Sequence, residues 1–361
     1  MQPHFLPWHT DIAREWLGAK ERFAHAWLIH GLAGIGKREF AFAAAASLLC
    51  EAPLQGLACG QCSACGWVAR GNHPDLKRIR PEALAVEEGA ELGADEDVAG
   101  TEEVTAETSS SSSKRAPSKD IRVEQIRALE PWFNHATHRG GWRVALIYPA
   151  EALTTISGNT LLKVLEEPPP STIFLLVADA PDRLLPTLLS RCRRLPLATP
   201  SIDIAQQWLQ SKGVSQPADW LAAAGGAPLL AKQQADSESS PCPNWVKELL
   251  TALEQGRTPD LSNLADQLAK TNAKIWLDTM QRLTVDLNLC AHGLACRYYP
   301  TQSAQMADIG QRGSASQFAQ LATWINDQKR VAGHPLNAKL FAQAVLQRLS
   351  QACQIKLSGS K

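Results

Sequence analysis

The chain has 361 residues, of which 45% are hydrophobic and 20% are charged, and its formal net charge is zero. This length is enough for two or three domains, and the composition is that of a globular protein rather than a disordered or fibrous one. The longest apolar run, AFAAAASLLC, is too short to cross a membrane, and the first residues lack the pattern of a signal peptide. We therefore expect a cytoplasmic protein that has no membrane partner.

Up to about residue 200, apolar strand-like runs alternate with helical patterns, which predicts a parallel α/β sheet covered on both faces. The predicted elements are, in chain order, the strand AWLIHG, a helix at 37–50, the helix DIRVEQIRALEPWF, the strand WRVALIYP, the helix SGNTLLKVLEEP, the strand TIFLLVAD and the segment RLLPTLLSRC, which leads into RRLPLA. Amphipathic helices follow, interrupted by a Pro- and Ser-rich break at 235–244. The sequence thus predicts an α/β domain at 1–199, a small helical domain at 200–236 and a helical domain at 243–361.

The zero net charge conceals an acidic segment at 82–119, which contains ten acidic residues, three basic residues and a run of five serines. A segment of this composition has little apolar surface to bury and is predicted to be a disordered loop. The rest of the chain is therefore mildly basic. This balance permits contact with nucleic acid without requiring it.

The sequence GLAGIGK follows the first predicted strand and has the layout of a phosphate-binding loop at a helix N-terminus. Its glycines Gly31, Gly34 and Gly36 leave backbone N–H groups free to surround phosphate, and Lys37 can reach the outer phosphates. A tight glycine-rich turn without a ligand is the alternative. The next residue is Arg38, whereas a working site needs a Ser or Thr hydroxyl there to bind magnesium.

A second magnesium-binding element is also absent from the sequence. In a hydrolysing enzyme the strand RVALIY would end in an acidic pair, but here it runs into Tyr148 and Pro149, and the first acid is Glu151. Without the metal ion, hydrolysis loses the main electrostatic support of the phosphate oxygens. We therefore predict that the chain binds ATP or ADP at most and does not hydrolyse ATP; an active motor ATPase of the same fold is the alternative.

Four cysteines around the end of the phosphate-loop helix form the pattern C-x8-C-x2-C-x2-C: Cys50, Cys59, Cys62 and Cys65. This spacing lets four thiolates converge on one ion, and four sulfur ligands suit tetrahedral zinc. Because the protein fills all four positions, the zinc would be structural. An iron–sulfur cluster and free thiols are the alternatives, and a zinc-dependent DNA-binding protein is a further interpretation of the chain.

The stretch 143–192 resembles the core of the bacterial clamp-loader AAA+ subunits. The matching motifs are Asn159, LLK at 161–163, LEEPP at 165–169 and SRC at 190–192. The active members of that family carry an Asp-Glu pair where this chain has Tyr148 and Pro149. HAWLIHG, GNHPDL and HPLNAKLF fit the family too, so the resemblance covers nearly the whole chain apart from the insertion 82–119 and weaker stretches between 200 and 330.

The resemblance implies an AAA+ P-loop domain with an inserted zinc module at 50–65, a small helical lid domain and an all-α C-terminal collar for oligomerisation. It further implies a subunit of the DNA polymerase III holoenzyme that helps to load the sliding clamp onto primed DNA, together with the gamma or tau ATPase subunits and delta. Polymerisation would then belong to the assembly and not to this chain. Arg191 of the SRC motif would act in trans as an arginine finger; from spacing alone, SRCRR is equally the start of a basic strand.

Overall fold

The computed structural model describes residues 3–19, 23–89, 116–138, 140–332 and 337–353. The chain forms two compact units, Met1–Thr199 and Pro200–Lys361. The further division of the second unit into a lid and a collar stays a prediction.

A five-stranded sheet lies within the described residues of the first unit. Its strands are β1 (Ala26–His30), β2 (Leu76–Ile79), β3 (Arg143–Ile147), β4 (Thr172–Ala178) and β5 (Arg193–Pro196). They lie side by side in the order β2-β3-β4-β1-β5, and every neighbouring pair is parallel. Every residue of β3 and β4 is buried, as is typical of parallel strands covered on both faces. The predicted parallel α/β sheet is confirmed.

Helices connect the strands of this sheet. They are α1 (Thr10–Gly18), α2 (Lys37–Leu49), α3 (Ser63–Arg70), α4 (Glu82–Glu87), α5 (Val123–Arg127), α6 (Glu130–Asn134), α7 (Thr155–Glu166) and α8 (Pro186–Arg191). The segment DIRVEQIRALEPWF contains two short helices instead of the single one predicted. Pro131 fits the first turn of α6 but has no backbone N–H with which to continue α5.

Part of the predicted disordered loop 82–119 is ordered. Its first residues form helix α4, and the backbone N–H of Ala83 donates to the carbonyl of Ser118. The carboxylate of Glu82 accepts a bond from the backbone N–H of Ser118 as well. The two ends of the segment therefore meet, while residues 90–115 lie outside the described residues.

The hydrophobic core of the first unit packs the sheet against α5, α7 and α8. Parallel strands end at the same edge of a sheet, so residues that directly follow them are brought together. This edge carries the phosphate loop after β1, Arg80 after β2, Tyr148 after β3 and Asp179 after β4. The fold thus gathers these four parts of the sequence into one candidate site.

In the described part of the second unit, the regular elements are helices, as the periodicity predicts. They are α9 (Ile202–Ser211), α10 (Pro217–Ala223), α11 (Pro228–Ser237), α12 (Asn244–Glu254), α13 (Leu261–Leu268), α14 (Ala273–Ala291), α15 (Ser303–Arg312), α16 (Ala315–Val331) and α17 (Ala338–Cys353). One hydrophobic cluster holds α9, α10 and α11 together. A larger one is built mainly from α12 to α17 and includes the buried Trp276.

Candidate functional site: the edge of the sheet and the cysteine cluster

The phosphate loop has the predicted strand–loop–helix geometry, with β1 before it and α2 after it. Gly36 precedes the helix with a left-handed φ of 95°, which favours glycine. A Cβ atom on Gly31 would lie 2.4 Å from the carbonyl oxygen of Leu197. Two of the predicted glycines are therefore required by the backbone itself, whether or not a ligand binds.

Lys37 is bound by its own chain. Its side chain is 3% exposed, and Nζ lies 2.5 Å from Oδ1 of Asp179. Nζ also donates to the carbonyl oxygens of Gly31, at 2.9 Å, and Leu32, at 2.6 Å. The ammonium group that would reach a nucleotide's outer phosphates thus points back into its own loop, where one carboxylate and two carbonyls stabilise it.

Arg38 and Tyr148, which occupy the positions of the two missing magnesium ligands, both contact the carboxylate of Glu88. Glu88, which follows α4, lies with Oε1 3.2 Å from an Nη atom of Arg38 and with Oε2 3.0 Å from Nε of Arg80. The hydroxyl of Tyr148 donates to Oε2 of Glu88 at 2.7 Å. Guanidinium groups carry only hydrogen-bond donors and positive charge, so these side chains attract an anion and repel a cation such as Mg²⁺.

Glu151, the first acid after β3, is also engaged. Its Oε1 accepts a hydrogen bond from the backbone N–H of Ala180 at 2.5 Å. This contact ties the segment after β3 to the segment after β4.

Sequence reasoning missed Asp179 and Glu88. Asp179 directly follows a buried strand and could have been anticipated, because that position lies at the edge of the sheet where the phosphate loop ends. Glu88 carried no such signal, since it stands among many acids in a segment interpreted as disordered.

The four cysteines converge as predicted. Cys50 follows α2 and Cys62 precedes α3, and the four sulfur atoms all lie within 4.8 Å of one another. The Sγ–Sγ distances are 3.8 Å between Cys50 and Cys62 and 4.0 Å between Cys59 and Cys65. A tetrahedral ion with Zn–S bonds of about 2.3 Å would place its sulfur ligands about 3.8 Å apart. The cluster fits a metal ion such as zinc.

Backbone N–H groups surround the sulfurs. Cys59 accepts bonds from the N–H groups of Gln61 and Cys62, and these bonds lower the pKa of the Cys59 thiol to about 6. Burial raises the pKa values of Cys50 and Cys65. Because the thiolate is the form that binds metal, Cys59 is the ligand most ready to ionise. The metal ion would supply the charge that favours ionisation of the others.

Arg191 lies at the C-terminal end of α8 and is one-third exposed. One of its Nη atoms donates to the carbonyl of Thr187 at 3.0 Å, and another forms an ion pair with Glu166 at the end of α7. Arg193 belongs to β5, where its guanidinium lies over the ring of Trp27, 5.6 Å from the centroid. The arginines of SRCRR are thus separated: Arg191 ends a helix, and the basic strand begins two residues later.

Comparisons with known proteins identify the family of the chain. A family model described as "DNA polymerase III, delta subunit" matches residues 15–201. The "DNA polymerase III subunit delta'" of Pseudomonas aeruginosa is 36% identical over 63% of this chain and 60% of its own length. The protein of the same name from Yersinia pestis is 31% identical over 78% of the chain and 76% of its own length. The "DNA polymerase III subunit tau" of Escherichia coli is 31% identical over 51% of the chain and 23% of its length.

Among the described residues, no helix combines the length and the apolar character needed to cross a bilayer.

The family match includes the motifs of 143–192, and the resemblance to clamp-loader subunits is confirmed. The chain belongs to the family of DNA polymerase III delta-prime subunits.

Proposed function

We propose that this chain is a non-hydrolysing subunit of the bacterial clamp loader, which helps to place the sliding clamp on primed DNA within the DNA polymerase III holoenzyme. The observation that carries the proposal is the edge of the sheet where hydrolysis would occur. Lys37 is bound by Asp179, and Arg38 and Tyr148 stand where metal-binding side chains are needed. Membership of the family suggests that the chain works in the clamp loader. The edge of its sheet suggests that its role there is something other than ATP hydrolysis.

The partners in this proposal are the gamma or tau ATPase subunits, delta, the sliding clamp and primed DNA, in a cytoplasmic hetero-oligomer. The relatives named delta-prime and tau support this assignment. The helices of the second unit would provide the collar through which subunits assemble. In such a collar, Ile275 on α14 and Leu340 on α17, which are each 63% exposed, would be covered by contact with other subunits.

We propose that the metal of the cysteine cluster is zinc and that its role is structural. Cys50, Cys59, Cys62 and Cys65 would hold it, and four thiolates leave no coordination position open to substrate. The ion would tie the end of α2 to the start of α3 across a module with little hydrophobic core of its own. Its chemistry is charge neutralisation and cross-linking, and no reaction step is assigned to it.

We propose that Arg191 acts in trans on nucleotide bound by a neighbouring ATPase subunit. Its guanidinium is partly exposed and is held at the end of α8 by the carbonyl of Thr187 and the carboxylate of Glu166. A γ-phosphate carries a higher negative charge than a carboxylate. It also has more oxygen atoms that can accept hydrogen bonds from the planar guanidinium of Arg191. It can therefore replace Glu166 when a neighbour brings it within reach.

Arg191→Ala in a loader reconstituted with its ATPase subunits tests this role. We expect turnover at the site that Arg191 completes to fall by about 10³, the lower range for arginine fingers, while subunit assembly measured by gel filtration stays unchanged. Arg194→Ala removes a nearby arginine of β5 and serves as the matched control, with turnover close to that of the unaltered loader. Equal turnover in the Arg191→Ala and Arg194→Ala loaders would exclude Arg191 from the mechanism.

A further inference from the structure

Three side chains converge on Glu88, at the start of the acidic insertion. Arg38 and Tyr148 donate hydrogen bonds to its carboxylate, at 3.2 Å and 2.7 Å. Nε of Arg80 lies at ion-pair distance, 3.0 Å from Oε2, without forming a hydrogen bond. These side chains come from three separate parts of the sequence, which follow the phosphate loop, β2 and β3. Because side chains from three separate segments contact the same carboxylate, the arrangement is a specific site and not a chance surface ion pair.

Arg80 makes this carboxylate necessary. Its side chain is only 3% exposed, and among the described residues Glu88 is the acid within ion-pair distance of it. A buried guanidinium that loses its counter-ion destabilises the folded state strongly, because its charge is then left uncompensated. Glu88 therefore supplies charge that the edge of the sheet would otherwise have to take from solution.

Tyr148 contributes a fixed donor. It is 2% exposed, and burial raises the pKa of its phenol well above the usual range. The hydroxyl stays protonated at neutral pH, so it donates to an anion and does not compete as a negative charge. Two positive groups and one neutral donor thus surround the carboxylate of Glu88, and Arg38 forms a second ion pair with Glu39 at 3.2 Å.

The same donors suit phosphate. Arginine forks and hydroxyl groups bind phosphate oxygens with the geometry that they use for carboxylates. Arg38 stands in the first turn of α2, at the helix end that favours anions. We propose that Arg38, Arg80 and Tyr148 form an anion-binding site for a phosphate group, and that Glu88 keeps this site closed as an internal ligand.

Helix α4 determines whether the site is closed. Its first residues are tied to Ser118, and Glu88 holds its other end to the edge of the sheet. A movement of α4 that withdraws Glu88 would leave Arg80 without its counter-ion and Arg38 with Glu39 alone. A phosphate group from solution would then replace the carboxylate of Glu88, so displacement of α4 and anion binding are linked.

Glu88→Ala in the full-length chain tests the proposal, with Glu87→Ala as the matched control because Glu87 is the neighbouring exposed acid. Thermal melting is followed with inorganic phosphate, with ADP in the absence of magnesium, and with sodium chloride at matched ionic strength. We expect Glu88→Ala to melt several degrees below Glu87→Ala. We also expect phosphate to restore much of the difference, with a half-effect at a concentration at least about tenfold lower than for the unaltered chain.

Recovery with phosphate alone identifies a small-anion site, and recovery at lower concentrations of ADP identifies a nucleotide phosphate as the source; both support the proposal. Glu88→Gln, which keeps the side-chain size, provides a second test if Glu88→Ala does not fold, and the same response is expected of it. Melting of Glu88→Ala equal to that of Glu87→Ala would overturn the proposal. So would a lower melting temperature that responds to neither phosphate nor ADP, because Glu88 would then be only a structural ion pair.

Discussion

Helix α2 joins two regions that differ in where their counter-ions come from. At its N-terminal end, the phosphate loop finds partners within the protein: Asp179 binds Lys37, and Glu88 binds Arg38. At its C-terminal end, Cys50 joins three other cysteines whose sulfurs contact one another and backbone N–H groups. The first region has its charges balanced within the chain, whereas the second brings together four side chains that would bind a cation.

In the proposed function, the phosphate loop keeps its shape although it does not support hydrolysis. The phosphate loop retains the glycines that its backbone needs, but carboxylates of the chain now stabilise the cations that would bind phosphate. The cysteine cluster has the spacing that a metal ion needs. A site that supplies its own counter-ions can be stable without a ligand, whereas four neighbouring cysteines can all ionise only when a cation balances their charge.

Removal of one cysteine ligand is expected to have the largest effect. Cys62→Ser should abolish stoichiometric zinc and lower the free energy of unfolding by about 5 kcal/mol, because structural zinc sites bind with on the order of 10 kcal/mol. Zinc content by mass spectrometry and urea unfolding measure both quantities. Cys296→Ser, in the second unit, is the control and should retain zinc. Full zinc content in Cys62→Ser, or visible absorbance from bound iron, would contradict the assignment.

A smaller effect is expected at the phosphate-loop end, from protonation of His9. This residue is 1% exposed and lies against Phe40, and neither ring nitrogen has a hydrogen-bond partner. Burial, assisted by the charge of Lys37, lowers the pKa of His9 from 6.5 to about 4. The unfolded chain therefore takes up a proton near pH 6.5, before the folded chain does, and stability falls as the pH drops toward 4.

The loss should reach about 3 kcal/mol between pH 7 and pH 4, since a pKa difference of about 2.5 corresponds to that free energy. His9→Phe, which replaces one buried ring with another, should lack this part of the pH dependence. Urea unfolding of both proteins at several pH values gives the comparison. Parallel stability curves for the two proteins would show that the charge of His9 is not excluded from the folded state.

Continuous apolar runs made much of the sheet predictable. β1, β3 and β4 consist almost entirely of buried apolar residues, which is why the sequence identified them. β2 has Lys77 and Arg78 at its centre and escaped prediction, because its place in the sheet depends on pairing with β3 and not on its own hydrophobicity. The split between α5 and α6 was signalled by Pro131, although the apolar spacing alone favoured one helix.

The candidate site was predictable where it rests on residue chemistry. Arg38 and Tyr148 cannot bind magnesium whatever surrounds them, and four cysteines at this spacing can meet at one ion. Their counter-ions were harder to predict, because an ion pair between Arg38 and Glu88 joins residues 50 positions apart. Local composition favoured disorder for the segment 82–119, whereas its residues 82–89 are ordered and Glu88 pairs with the buried Arg80.

The chain's own charges fill the edge of the sheet beside Lys37, and we propose that this edge does not support hydrolysis. The most direct test is phosphate release from ATP by the isolated, purified chain, with magnesium present and then removed by a chelator. We predict the same background rate in both conditions. Turnover by the chain alone that depends on magnesium would contradict the account.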